Sequence, residues 1–177
     1  MNFATADFGS VLSGEQWRLR RWHLDDAPRL LDAWCDAEIA RWNAVPAAPT
    51  IELALRWISN EQRRLDQRQS VDLVIDLDDA AVVGEVGLSG FSNRHQGALI
   101  GYWLLPQGRG HGIAAQAVDA VVEWAFRELD LAVLVAQCSP ENEASHAVLR
   151  RADFAHERTD EAGSQLWRRR RVDVASG

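Results

Sequence analysis

The sequence predicts an α+β fold with one βαβ unit at its centre, and three observations predict it. Apolar and alternating runs (VDLVIDL, AVVGEVGLSGF, ALIGYWLL) follow one another across residues 71–105, the mark of an antiparallel meander. A one-sided apolar stripe at 114, 117, 118, 121, 122, 125 and 129 then marks an amphipathic helix, and the run Leu131 to Cys138 marks a returning strand. Between the meander and that helix lies Gln107 to Ala115, QGRGHGIAA, where glycines at 108, 110 and 112 remove every second side chain.

Taken in order, residues 1–15 are small, polar and aperiodic and read as a flexible lead-in, leaving 16–177 as a single domain. Trp17 to Trp22 (WRLRRW) is the first strand. Asp25 and Asp26 signal a helix start, with Pro28 in the first turn of a helix through LLDAWCDAE. Ile39 to Thr50, broken by Pro46 and Pro49, reads as a link to a second helix, which ends in the polar stretch QRRLDQRQS, a solvated face without evident chemistry. Val71 to Leu77 and Ala81 to Phe91 pair around an Asp78-Asp79 turn, and Ala98 to Leu105 delivers the chain to the glycine-rich loop. Helix Ile113 to Leu129 and strand Leu131 to Cys138 follow. Ser139-Pro140 leads into a helix near Asn142 to Arg151, and Phe154 to His156 and Gln165 to Val172 are strands around a turn at Gly163.

Composition narrows the function. A chain of 177 residues with 47% hydrophobic and 25% charged residues buries a core without metal or disulfide support. The net charge of −7 argues against a general nucleic-acid or membrane binder and suits a cationic amine partner. Arg168 to Arg171 is a basic island, of the kind that is most often a solvated strand or tail. Two cysteines, Cys35 and Cys138, define neither a disulfide framework nor a metal site. With no basic-then-apolar leader and no apolar run of membrane-spanning length, a cytoplasmic protein is expected. Exposed tryptophans, among eight in all, and the strand Gln165 to Arg170 leave a homodimer open.

The loop carries the chemistry. Bare backbone at the mouth of a helix can turn several N–H groups onto one anion, and the helix adds the positive end of its dipole. A Walker A loop would end in Gly-Lys-Ser/Thr, and here Gly112-Ile113-Ala114 stands instead. A dinucleotide fingerprint is formally present from Gly110 to Ala115, but the acid that should follow the next strand, Asp130, precedes it. The pattern Gln/Arg-x-x-Gly-x-Gly/Ala is filled completely by Gln107, Gly108, Arg109, Gly110, His111 and Gly112, with Arg109 and His111 as further donors at the rim. The bland alternative is a glycine-rich turn that binds nothing.

That last pattern is the pyrophosphate loop of the Gcn5-related N-acetyltransferases, and the chain resembles the RimJ/RimL-type branch of that superfamily from about Trp17 to Val172. RLRRWHLDDAPRLLDAW, IARWNAVP, VVGEVGLSGF, GYWLLPQGRGHGIAAQAV and ENEASHAVLRRADF carry the resemblance in order. It implies a mixed, mostly antiparallel sheet with a splayed central parallel pair, Ala98 to Leu105 and Leu131 to Cys138. Between these strands the pantetheine of acetyl-CoA would lie against the backbone of Trp103, Leu104 and Leu105. It implies that Gln107 to Ile113 and Ala114 hold the pyrophosphate, that Asn142 bonds the cofactor, and that Ser145 meets the sulfur. Asn142 and Ser145 are equally ordinary capping chemistry.

The tyrosine many relatives carry one turn beyond that serine is replaced by Leu149, and Asp153 stands where a glycine usually precedes the aromatic, which asks the turn to accept aspartate in the left-handed region. Glu85 is the candidate general base, because the carboxylate relatives often carry before Ile100 is Leu99 here. His111 reads as a rim residue and His146 as an exposed helix residue. Cys138 reads as a buried structural thiol rather than a nucleophile. The expected activity is acetyl transfer to a primary amine, with no metal. The alternatives are a non-catalytic acyl-CoA sensor or scaffold, and an enzyme using another acyl group such as succinyl.

Overall fold

Strand alternation sets the architecture. The computed structural model describes residues 13–14, 16–77 and 82–172, so most of the expected lead-in and the Asp78-Asp79 turn lie outside the described residues. Seven strands form one sheet: β1 (Trp17–Arg20), β2 (Ser70–Leu77), β3 (Val82–Ser92), β4 (Gly97–Leu104), β5 (Val133–Cys138), β6 (Ala155–Thr159) and β7 (Gln165–Arg170). Their order is β1-β2-β3-β4-β5-β7-β6, antiparallel throughout except for the parallel pair β4 and β5.

Helices α1 (Ala27–Cys35), α2 (Ala37–Trp42), α3 (Ile51–Ser59) and α4 (Glu61–Asp66) precede β2, α5 (Ile113–Glu128) connects β4 to β5, and α6 (Glu143–Arg151) follows β5. Trp17, Leu19, Val71, Leu73, Ile75, Val86, Leu88 and Ile100 form the face that packs on the apolar stripe of α5, with Leu149 of α6 in the same core. The opposite face meets α1 and α3 through a smaller cluster of Trp22, Ala27, Leu30, Ala54, Ile58, Val74 and Val82.

Four details differ from the sequence reading. The link from Ile39 contains part of α2, started by Asp36, whose Oδ1 accepts the Ile39 N–H at 2.8 Å. The polar stretch after α3 is not merely solvated. Glu61 is buried against Arg21 at 3.0 Å, and Arg64 bonds the Asp72 carboxylate at 3.0 Å while lying 3.9 Å over the Trp57 ring. Nor is the basic island Arg168 to Arg171 merely solvated: Arg168 pairs with Glu157, Arg169 with Asp119 and Glu123, and Arg171 with Asp130. Finally, all eight tryptophans are buried or half-buried, which removes exposed tryptophan as a reason for a dimer. Asp153 does take the left-handed conformation, φ 56°.

Candidate active site

The central parallel pair is zipped for only three residues. Gly97 pairs with Val133, Ala98 with Leu134 and Leu99 with Val135; beyond them β4 runs on to Leu104 and β5 to Cys138 without pairing to each other. The result is a slot in the middle of the sheet whose wall on the β4 side carries unpaired backbone groups. Parity says which ones. The Leu105 N–H bonds the Val83 carbonyl at 2.8 Å and Trp103 stands opposite Glu85, so odd residues spend their backbone groups on β3. Tyr102 and Leu104 are the residues whose backbone faces the slot. The expectation of Trp103, Leu104 and Leu105 is therefore corrected by one position, and only Leu104 of those three is turned the right way. Its carbonyl is already engaged by the Arg109 Nε at 2.9 Å, which leaves its N–H.

Past Leu105 a turn of 3-10 helix, Pro106–Gly108, seats Gly108 on β3, where an added Cβ would lie 3.0 Å from the Val83 side chain and 3.2 Å from its carbonyl. Gly110 and Gly112 then adopt φ of 85° and 76°, a region costly for any residue with a Cβ, and the space a Gly110 side chain would enter is open. The first α5 bond runs from the Gln116 N–H to the Gly112 carbonyl at 3.3 Å, so the amides of Ile113, Ala114 and Ala115 have no acceptor within the helix. These features fit a diphosphate: a bend only glycine makes easily, free space at its concavity, and a sixteen-residue helix behind it. Gln107 and His111 are exposed at the rim.

Arg109 does not act as a rim donor. Its guanidinium turns back to Asp36, 2.8 Å from the Oδ1 that caps α2. Burial works to raise the Asp36 carboxyl, but the Ile39 amide and Arg109 outweigh it and hold it below the usual range. The loop is thereby tied to the α1–α2 junction.

The two rims of the slot carry different chemistry. On the face toward α1–α4, Glu85 sits opposite Trp103, with part of its surface open, and accepts the Trp22 indole N–H at 2.8 Å. Trp22 in turn lies against Trp57 and Trp103, with ring centroids 5.9 and 6.3 Å away. Burial first, then the Asp72 carboxylate, push the Glu85 carboxyl up to about 8, against hydrogen bonds from Trp22 and Trp103. A carboxylate poised there is suited to taking a proton from an amine near neutral pH.

On the opposite face, Asn142 caps α6 by accepting the Ser145 N–H at 2.9 Å, so its Oδ1 is spent on the helix and its Nδ2 remains for a ligand. The Ser145 Oγ lies 2.7 Å from the Tyr102 phenol oxygen. Burial pushes the Cys138 thiol up, with the Ser145 hydroxyl opposing, which keeps it a neutral thiol rather than an activated nucleophile. Leu149 is fully buried in the core. His146 is buried, not exposed as expected, and stacks on Trp167 with centroids 5.5 Å apart.

Sequence reasoning missed Tyr102. It is the only tyrosine of the chain, and the vacancy at Leu149 was the signal that another hydroxyl had to be sought.

A glycine cradle at a helix mouth beside a split parallel pair is the arrangement that the sequence resemblance implies. Residues 16–155 match the family described as the acetyltransferase (GNAT) domain, and the chain belongs to that family as an N-acetyltransferase. Among curated proteins it is similar to the uncharacterized N-acetyltransferase YoaA of Bacillus subtilis, 24% identical over 148 residues that cover 83% of this chain and 84% of the relative. Among solved structures it superposes on Mycobacterium smegmatis RimJ in complex with a CoA disulfide, with TM-score 0.80, 20% identity and coverage of 90% and 84%. It also superposes on RimL, a ribosomal alpha-N-protein acetyltransferase in complex with coenzyme A, with TM-score 0.78, 22% identity and coverage of 89% and 95%.

Proposed function

We propose that the chain transfers an acetyl group from acetyl-CoA to a primary amine by direct attack in a ternary complex, in the cytoplasm. The observation that supports this most is the slot between β4 and β5, with a carboxylate of raised pKa one strand away on one face and a hydroxyl pair on the other. When bound, acetyl-CoA supplies the activated acyl carbon and a thiol leaving group. The amides from Gly110 to Ala115 hold its diphosphate, and the backbone of Tyr102 and the Leu104 N–H pair with the pantetheine arm. Glu85 takes a proton from the incoming ammonium, directly or through one water, and the Ser145 hydroxyl meets the sulfur. The C–N bond forms as the C–S bond breaks and its electron pair stays on sulfur. Of the two protons the amine gives up, one leaves through Glu85 and the other neutralises the thiolate. The likeness to RimL, a ribosomal alpha-N-protein acetyltransferase, favours a peptide or protein N-terminus as the acceptor, with small amines as the second choice.

Thiol release from acetyl-CoA over a panel of peptides and amines, with mass spectrometry of the product, tests the reading. An acceptor gaining one acetyl group is the expected result, and a parallel run with succinyl-CoA reads the acyl preference. Tight acetyl-CoA binding with no turnover on any acceptor would instead mark a sensor. Replacing Gly110 and Gly112 by bulky residues is expected to weaken coenzyme A binding; unchanged affinity would show that the diphosphate lies elsewhere.

A further inference from the structure

We propose that Tyr102 is a positioning residue for thiol departure: its phenol holds the Ser145 hydroxyl so that the serine proton is presented to the slot between β4 and β5. The inference rests on the transferase reading above and adds to it a residue that neither the glycine-loop motif nor the Asn-x-x-Ser pair contains.

The geometry is a two-position rotor. The Tyr102 phenol oxygen lies 2.7 Å from the Ser145 Oγ and 3.2 Å from the Ser145 carbonyl. Each hydroxyl owns one proton. In the first arrangement the phenol donates to the carbonyl and the serine donates to the phenol, so nothing is offered to the slot. In the second the phenol donates to Oγ and the serine proton is released for another acceptor. A sulfur gaining negative charge selects the second, because a hydrogen bond to an anion is about twice as strong as one between neutral groups.

Three surrounding facts support the arrangement. Ser145 cannot drift, since its N–H is fixed to the Asn142 side chain at 2.9 Å in the first turn of α6, where the helix dipole also favours a nearby anion. Burial pushes the Tyr102 phenol well above its ordinary value, so it stays a donor and does not itself surrender the proton. Serine and tyrosine come from the two sides of the slot, α6 beyond β5 and β4 itself, so the pair spans the place where the strands part.

The other titrating group beside this hydroxyl is Cys138, whose thiol burial also raises. Glu143 and His146 are the remaining titratable residues of α6 next to Ser145. No proton needs to leave the pair: the C–S electron pair goes to sulfur, Ser145 hydrogen-bonds it, and the sulfur's proton comes from the amine as above.

Tyr102→Phe keeps the ring and removes only the oxygen. Two measurements read it beside Ser145→Ala and the double variant. In the first, kcat falls about tenfold with KM for acetyl-CoA unchanged, and the double variant is no slower than Ser145→Ala alone, since the two groups act as one unit. In the second, which needs no turnover, coenzyme A affinity is followed from about pH 7 to about pH 9, across the range in which a thiol ionises. Wild type tightens its grip as the thiolate forms, and both single variants lose that gain to the same extent. A tyrosine serving only as packing would lower Tm while leaving kcat and the pH dependence of affinity as they were, and that result overturns the proposal, as do losses that multiply in the double variant. Wild type that binds coenzyme A but transfers nothing sinks the transferase reading, while the affinity series still decides the role of Tyr102.

Discussion

The same strands show two opposite faces. Toward α5, β2 presents Val71, Leu73 and Ile75, all buried in hydrocarbon. One residue out of step, toward α1–α4, it presents Asp72 and Asp76, with Val74 between them. β1 answers with Arg18 and Arg20, which both bond the Asp76 Oδ2, at 2.9 and 3.1 Å, and Arg20 continues to Asp26 at 2.6 Å. One face holds the sheet by excluding water; the other adds a ladder of ions, and the separate Arg64–Asp72 pair acts on Glu85. The lesson is that the second face trades packing for a charged setting: the Asp72 carboxylate that helps raise Glu85 is itself bonded to Arg64.

Breaking the ladder is expected to have the largest effect. Arg20→Met leaves Asp26 without its ion partner and Asp76 with Arg18 alone, and costs about 3–5 kcal/mol of stability, read by denaturant unfolding. It also changes the acid limb. Burial works to raise the Asp26 carboxyl, but the Arg20 bond outweighs it and holds the group below its ordinary value. Its contribution is therefore full above the unfolded value and is lost as pH falls through the folded one. Wild type should lose that increment on acidification, and Arg20→Met should not.

Cutting the other face is next. Leu88→Ala, at a side chain 1% exposed, should cost about 3 kcal/mol as a cavity and leave the pH dependence of unfolding unaltered, which separates the two faces by titration alone.

Glu85→Gln comes third, with opposite signs for rate and stability. Activity should fall about a hundredfold and lose its rise with pH near 8, if Glu85 is the base. Because the folded pKa is raised, wild type is penalised as pH climbs from the unfolded value toward the folded one. The variant escapes that penalty, and its Tm should exceed wild type by a margin that grows toward pH 8. A variant less stable than wild type there would mean that the carboxylate is held as an anion by its neighbours. The smallest change is expected at Leu99→Ser, on the same face, where 46% exposure limits the effect to about 0.5 kcal/mol.

How much of this was readable beforehand follows the range of the interactions. The fold order, the cradle and the helix behind it were legible because glycine spacing and apolar periodicity are local signals. Asp153 in the left-handed region was legible from the family resemblance, which puts a glycine at that position. The α2 start is locally written too, in Asp36 followed by Ala37, Glu38 and Ile39, but a six-residue helix ahead of prolines at 46 and 49 is too short to show a period. Arg109 was misplaced because its partner, Asp36, is 73 residues distant, and no pattern in QGRGHG announces that the arginine points backward. Tyr102 was missed because backbone parity depends on which edge of β4 is committed to β3, and that is a property of the assembled sheet.

The three-pair junction between β4 and β5 also bears on how the molecule moves. Strands β1 to β4 on one side and β5, β7 and β6 on the other are half-sheets whose in-plane connection is little more than a hinge at Gly97 to Leu99, with α5 as the strap across it. A pantetheine arm bonded along the open stretch would serve as an eighth stave, carrying tension from one half to the other. Amide exchange at Ile100 to Leu104 should then slow when coenzyme A is present, and stability should rise with its concentration, by about 2.7 kcal/mol at a hundred times Kd.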